Sequence, residues 1–141
     1  METKYKGRCL CGTVQFEAKG KPPWTGICHC PSCRRATGGV LGGVCGYPKT
    51  SVKLKGESLR YYVSSPGVRR SFCNQCGSSI SYESENWPED IHIMIGVFDH
   101  SELLSPGFHI FTQYQLSWIK FDDCRTRYIT TPGSGETNEN R

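Results

Sequence analysis

Apolar and polar residues alternate along most of this chain with a period of two. Val14, Phe16 and Ala18 alternate with Gln15 and Glu17, and Val52 and Leu54 with Lys53 and Lys55. Leu59, Tyr61 and Val63 follow the same rule. Ile91, Ile93, Ile95 and Val97 form one face of a segment whose other face is His92, Met94 and Gly96. Successive side chains of an extended strand point to opposite sides, so these runs predict half-buried antiparallel strands. Helical spacing is scarce. Pro31 to Ala36 predicts a single turn with proline near its start, and Ser101 to Leu104 predicts another. Gly and Pro clusters at Gly20 to Pro23, Gly38 to Gly46 and Ser64 to Gly67 punctuate the strands. The pattern as a whole predicts a mainly β fold with little helix.

The chain of 141 residues is long enough for a core of its own and is expected to form one domain over residues 1–129. From residue 130 onward apolar periodicity stops, and residues 130–141 read as a disordered tail. The net charge of +4 is mild. Arg34-Arg35 and Arg69-Arg70 are pairs rather than a tract, which argues against a nucleic-acid surface. No run approaches a membrane span and no apolar leader opens the chain, so a cytoplasmic protein with reduced thiols is expected.

The nine cysteines change the picture most. Seven fall into three tight groups: Cys9-x-Cys11, Cys28-x-Cys30-x-x-Cys33 and Cys73-x-x-Cys76. A thiolate sulfur sits about 2.3 Å from zinc, so ligands close in sequence converge on one ion without straining the backbone. A closed tetrahedral site needs four ligands, which assigns Cys9, Cys11, Cys73 and Cys76 to one structural zinc. Cys28, Cys30 and Cys33 are then three thiolates with an open fourth position, the way catalytic zinc is usually held. Such an electron-rich site suits an incoming soft thiol better than it suits making hydroxide. Two alternatives stay open. The cysteines could form disulfides, although their number is odd and no secretory signal precedes them. The triplet could also be closed by Cys45, which lies in a glycine-rich stretch; His29 is a poor fourth ligand because it points away from its neighbours. Cys124 reads as an isolated thiol, which in most proteins is a small buried hydrophobe.

The three groups and their neighbours resemble the glutathione-dependent formaldehyde-activating family, which includes centromere protein V-like proteins. The matching stretches are Gly7-Arg8-Cys9-Leu10-Cys11-Gly12, Cys28-His29-Cys30-Pro31-Ser32-Cys33-Arg34-Arg35 with Gly38, and Phe72-Cys73-Asn74-Gln75-Cys76-Gly77, with Asp99, Pro106, His109 and Ser117-Trp118 further on. The resemblance implies a β-tent fold of small sheets stapled by zinc. It implies structural ligands Cys9, Cys11, Cys73 and Cys76 and a catalytic zinc on Cys28, Cys30 and Cys33. The implied activity is that of a carbon–sulfur lyase that joins formaldehyde to glutathione as S-hydroxymethylglutathione, or separates them. The implied partners are a small thiol and an aldehyde, with neither nucleic acid nor membrane, and a homo-oligomer is compatible with the chain.

Arg34, and Arg35 after it, follow the third ligand and are placed to stabilise the adduct oxygen or grip a substrate carboxylate; the plain reading is that they are solvated charges. His109 could move a proton, yet among Phe108, Ile110 and Phe111 it reads first as a packed, hydrogen-bonded residue. His92 and Trp118 read as structural. Gly38-Gly39 and Gly42-Gly43 read as a flexible loop or a place for substrate to approach the backbone. A non-catalytic zinc module, with a structural or thiol-sensing triplet, is the alternative from another class.

Overall fold

The computed structural model describes residues 3–132. The expected tail from residue 130 therefore lies, past residue 132, outside the described residues. The elements in chain order are β1 (Lys4–Arg8), β2 (Gln15–Lys19), β3 (Trp24–Cys28), α1 (Pro31–Thr37), β4 (Gly42–Pro48), β5 (Val52–Lys55), β6 (Leu59–Ser65), β7 (Val68–Cys73), β8 (Ser79–Ser84), β9 (Asp90–Met94), β10 (Phe108–Ile110) and β11 (Thr126–Arg127). The fold is mainly β, as the alternation predicts. Among the described residues no helix is long and apolar enough to cross a membrane.

Two compact units divide the chain. The first takes the residues up to Trp24 together with Cys45–Leu104. Its antiparallel sheet has the order β1-β2-β5, and a second run of neighbouring strands has the order β4-β9-β8-β7-β6. Register follows the hydrophobic pattern: Phe16 pairs with Gly7 on one side and Leu54 on the other, which points Phe16 and Ala18 inward. They meet Cys45, Tyr47, Ile91, Ile93, Phe98 and Leu104 in one core cluster. The Phe16 and Phe98 rings cross edge to face with centroids 4.8 Å apart. The second unit takes Thr25–Val44 and the residues from Ser105 on. Here β10 runs parallel to β3 and to β11, with α1 following β3.

Two expectations fail in detail. The segment Ile91 to Val97 is not one strand: β9 stops at Met94 and Ile95–Val97 forms a 3-10 turn closed by Phe98 N–H on the Ile95 carbonyl. That turn lets Phe98 enter the core, where it is 5% exposed. The expected inner face of β6 is covered only at Leu59, which is half-buried against Cys9, Val14, Cys73 and Ile80. Tyr61 and Val63 are exposed in what is, among the described residues, the last strand of its run, and the Arg69 guanidinium covers the Tyr61 ring at 4.1 Å.

His92 is structural, as expected. Its ring stacks on Tyr82 and Trp87 and meets Trp24 edge-on at 4.7 Å. Burial pushes its pKa down to about 4. The unfolded chain, with a histidine near its usual value of about 6.5, therefore binds more protons than the folded one across that interval. The stability that neutral His92 contributes is complete above pH 6.5 and is lost as pH falls toward 4. The urea midpoint followed by tryptophan fluorescence is expected to drop over that window, and to drop less steeply in His92→Phe.

Candidate functional site

The first cluster is built from two tight turns. The Cys9 N–H donates to the Val14 carbonyl, and the Cys9 carbonyl accepts from Gly12, which sits at φ 84°. The Cys73 carbonyl accepts from Gly77, at φ 80°, and the Cys73 N–H donates to the Ser78 carbonyl. Glycine is needed at both left-handed positions. Within the turns, Val14 N–H points at Cys9 Sγ at 3.2 Å and Cys76 N–H at Cys73 Sγ at 3.4 Å. The Leu10 N–H to Ser78 Oγ bond, 2.9 Å long, ties one turn to the other.

All four sulfurs lie within 4.8 Å of one another. Cys11 Sγ is 3.6 Å from Cys9 Sγ and 3.7 Å from Cys73 Sγ. The edge of a tetrahedron with zinc–sulfur bonds of about 2.3 Å is about 3.8 Å, so the spacing fits a shared ion and is far too long for a disulfide. Burial works against a Cys73 thiolate, yet the Ser58 hydroxyl, the Cys76 N–H and the Thr13 hydroxyl hold its pKa down to about 5. The Ser78 hydroxyl leads the groups that bring Cys76 to about 7. Cys73 is thus held as the thiolate that a divalent cation requires, while the Cys11 thiol is shifted up.

The second cluster spans the end of β3 and the start of α1. Cys30 caps α1: its sulfur accepts from Cys33 N–H at 3.3 Å, Pro31 occupies the first turn, and Gly38 ends the helix at φ 71° with its N–H on the Arg34 carbonyl. Cys28 Sγ and Cys30 Sγ are 3.3 Å apart, and the three sulfurs of Cys28, Cys30 and Cys33 lie within 4.8 Å of one another. The neighbouring thiols Cys30 and Cys33, and then burial, push the Cys28 thiol far up. Three crowded sulfurs of this kind shed their protons together only beside a cation. Gly42 is part of the packing rather than a loose loop, because a Cβ there would lie 3.1 Å from Cys33 Cβ.

Cys45 is not in this group. It is fully buried among Phe16, Tyr47 and Ile93 in the core of the first unit, and burial raises its thiol to about 12. Cys124, expected to be buried, is exposed. Arg34 has its Nη1 on two carbonyls, His29 at 2.8 Å and Tyr114 at 2.6 Å. Tyr114 is presented by the 3-10 turn Thr112–Tyr114, whose preceding residue Phe111 is a non-glycine residue at φ 53°. Arg35 is exposed, as is Trp118.

The spacing of the cysteines says nothing of a buried chain that ends between two of them. His109 Nε2 lies 3.0 Å from Asp123 Oδ2, and His109 Nδ1 lies 3.0 Å from His29 Nε2. With Asp123 a carboxylate, His109 must donate from Nε2 and accept at Nδ1, so His29 donates from Nε2. Both rings are fully buried. Burial, then His109 and Arg127, press the His29 pKa to about 4, and burial also lowers His109. Both are therefore neutral at pH 7, as the directed chain requires. Asp123 is the member that sequence reading missed. It lies between Asp122 and Cys124, and only its place 14 residues from His109 in a contact of the fold identifies it.

The model of the glutathione-dependent formaldehyde-activating enzyme family matches residues 4–114 of the chain. A protein of Schizosaccharomyces pombe named as an uncharacterized lyase is 30% identical over 83 residues, which are 59% of this chain and 60% of that protein. The chain thus spans about 60% of the length of this relative. A crystal structure of a Rhodobacter sphaeroides protein superposes with a TM-score of 0.58 at 21% identity, over 72% of this chain and 96% of that one, a likeness of fold.

Proposed function

Because the chain belongs to the glutathione-dependent formaldehyde-activating enzyme family, we propose that it is a zinc-dependent carbon–sulfur lyase that forms or breaks a thiol–aldehyde adduct, with glutathione and formaldehyde as the substrate pair. The observation that carries this reading is the number of ligands in each cluster: four sulfurs converge in one and three in the other, among the described residues. Cys9, Cys11, Cys73 and Cys76 would hold a structural ion. Cys28, Cys30 and Cys33 would hold the second with one position open for a substrate thiol. Bound there, zinc supplies a positive charge that stabilises the thiolate form of an arriving thiol.

The reaction is an addition. The substrate sulfur lone pair forms the new bond to the formaldehyde carbon, the carbonyl π pair moves to oxygen, and that oxygen takes up a proton to give the hemithioacetal. The reverse breaks the carbon–sulfur bond. The residues of this chain position that event. Cys30 fixes the start of α1, and Gly42 lets Cys33 close against the beginning of β4. Arg34, with its Nη1 shared between the His29 and Tyr114 carbonyls, holds the Cys28–Cys30 segment from one side. The Asp123–His109–His29 chain holds it from the other, since His29 lies between two of the proposed ligands. Arg35, exposed on α1, is the guanidinium free to meet a carboxylate of the thiol.

Exchange NMR on an equilibrium mixture of formaldehyde, glutathione and the hemithioacetal tests the proposal. The purified protein is expected to raise the interconversion rate above the uncatalysed one. An unchanged rate with both metal sites loaded would sink the lyase reading and leave a carrier or a structural module.

A further inference from the structure

The charge of this chain is segregated by its fold. On the sheet β1-β2-β5 the inward positions are Tyr5, Gly7, Phe16, Ala18, Val52 and Leu54, and the alternate positions face solvent. The solvent face carries Lys4, Lys6 and Arg8 on β1, Gln15, Glu17 and Lys19 on β2, and Lys53 and Lys55 on β5. Six cations and one carboxylate give it a net charge of +5, against +4 for the whole chain. Everything else in the protein therefore sums to slightly less than neutral.

Register makes the arrangement sharper. Lys4 stands directly opposite Lys19, a like-charge pair that works against sheet stability. Glu17 is opposite Lys6 on one side and Lys53 on the other, and it bridges to Lys6 at 3.6 Å and to Lys4 at 3.9 Å. One carboxylate is thus shared by several ammonium groups, and among the described strand positions Glu17 is the one acidic side chain of this face. A groove of about 460 Å³ runs over it; its charged lining is Lys6, Arg8, Lys53 and Lys55 with the carboxylates Glu17 and Asp99.

We propose that this face binds the phosphate backbone of duplex nucleic acid without reading its sequence. The cations are a lattice rather than a convergent pocket: about 6.8 Å between alternate residues along a strand and about 4.8 Å between strands. That geometry suits a repeating row of anions more than one compact ligand. The five residues of β1 extend about 17 Å, which is about half a turn of duplex. No aromatic side chain projects from the face to stack on an unpaired base, and no apolar one to enter a lipid interface. What remains is backbone contact, which is electrostatic and indifferent to sequence. The cations come from residues 4 to 55 of the chain and never form a run, which is why sequence order points away from this partner. The proposal does not depend on the lyase activity.

The test is fluorescence anisotropy of a labelled 20-base-pair duplex titrated with the intact protein. Binding with a dissociation constant of about 10⁻⁵ M is expected near physiological salt. Five contacted phosphates give a slope of log affinity against log salt of about −4.5, or a loss of about 500-fold between 50 and 200 mM. Lys6→Gln with Lys53→Gln should make that slope shallower by about 2. Arg69→Gln with Arg70→Gln removes the same charge from β7, which belongs to the other run of strands in the same unit, and should leave the slope unchanged. An equal change in both double variants, no binding at 50 mM salt, or equal binding to poly-glutamate or to phosphatidylserine vesicles would each overturn the proposal.

Discussion

Cys73→Ala is expected to abolish cooperative folding of the first unit. Its sulfur is fully buried beside Cys9, Val14 and Ile80, so the substitution removes one of the four proposed zinc ligands and leaves a void in that cluster. Zinc held by a closed four-ligand site contributes on the order of 10–16 kcal/mol, as much as or more than the whole stability of a typical domain, about 5–15 kcal/mol. Turns as short as Cys9–Gly12 and Cys73–Gly77 cannot replace that term, because each is held by only a few hydrogen bonds. Native mass spectrometry should show the variant with one zinc fewer, and its far-UV circular dichroism should lose the sharp thermal transition. A variant that melts as sharply as the native protein would show that the first cluster does not staple the fold.

Cys30→Ala has an equally large expected effect on a different observable. The sulfur of Cys30 caps α1, and losing a cap costs about 1 kcal/mol, which a folded domain survives. The proposed open site, however, would keep only two thiolates. Enzyme-dependent exchange between formaldehyde and S-hydroxymethylglutathione should fall to the uncatalysed background, and native mass spectrometry with glutathione should show the adduct expected of the native protein absent from the variant, while circular dichroism stays native. Cys30→Ser separates the two roles, because a hydroxyl can still accept the Cys33 N–H but is a poor zinc ligand. Its helix should be restored and its exchange should not. Retained exchange in both variants would move the chemistry away from the triplet.

The contrast between these variants rests on a division between the clusters that is visible in the chain itself. C-x-C and C-x-x-C spacings confine sulfurs to one small volume whatever the rest of the fold does, so local chain geometry predicts each of the three groups, and the four-ligand requirement joins Cys9-x-Cys11 to Cys73-x-x-Cys76. Alternation did the same for strands with one buried face: Phe16 and Ala18 face inward as the pattern requires, and so do Ile91 and Ile93. It misled at β6, where Tyr61 and Val63 alternate correctly but stay exposed, with no layer over them among the described residues. It also misled at Ile95, where a 3-10 turn serves the burial of Phe98 better than another strand residue would. Period two states which side chains share a face, and only the neighbours of that face state whether it is covered.

The sequence by itself thus determined the β class, the three local cysteine groups and the turn after Pro31, because each depends on residues within a few positions of one another. Tertiary structure alone decided that Cys45 belongs to the core and that Arg34 serves two carbonyls. It also brought His29 to His109, 80 positions away, and His109 to Asp123, and it assembled six scattered cations on one sheet face. The physical reason is the range of the forces that choose the partner. Turn geometry and side-chain alternation act within a few bonds of backbone, whereas a buried hydrogen bond or a shared electrostatic face exists only once strand register has placed distant residues side by side.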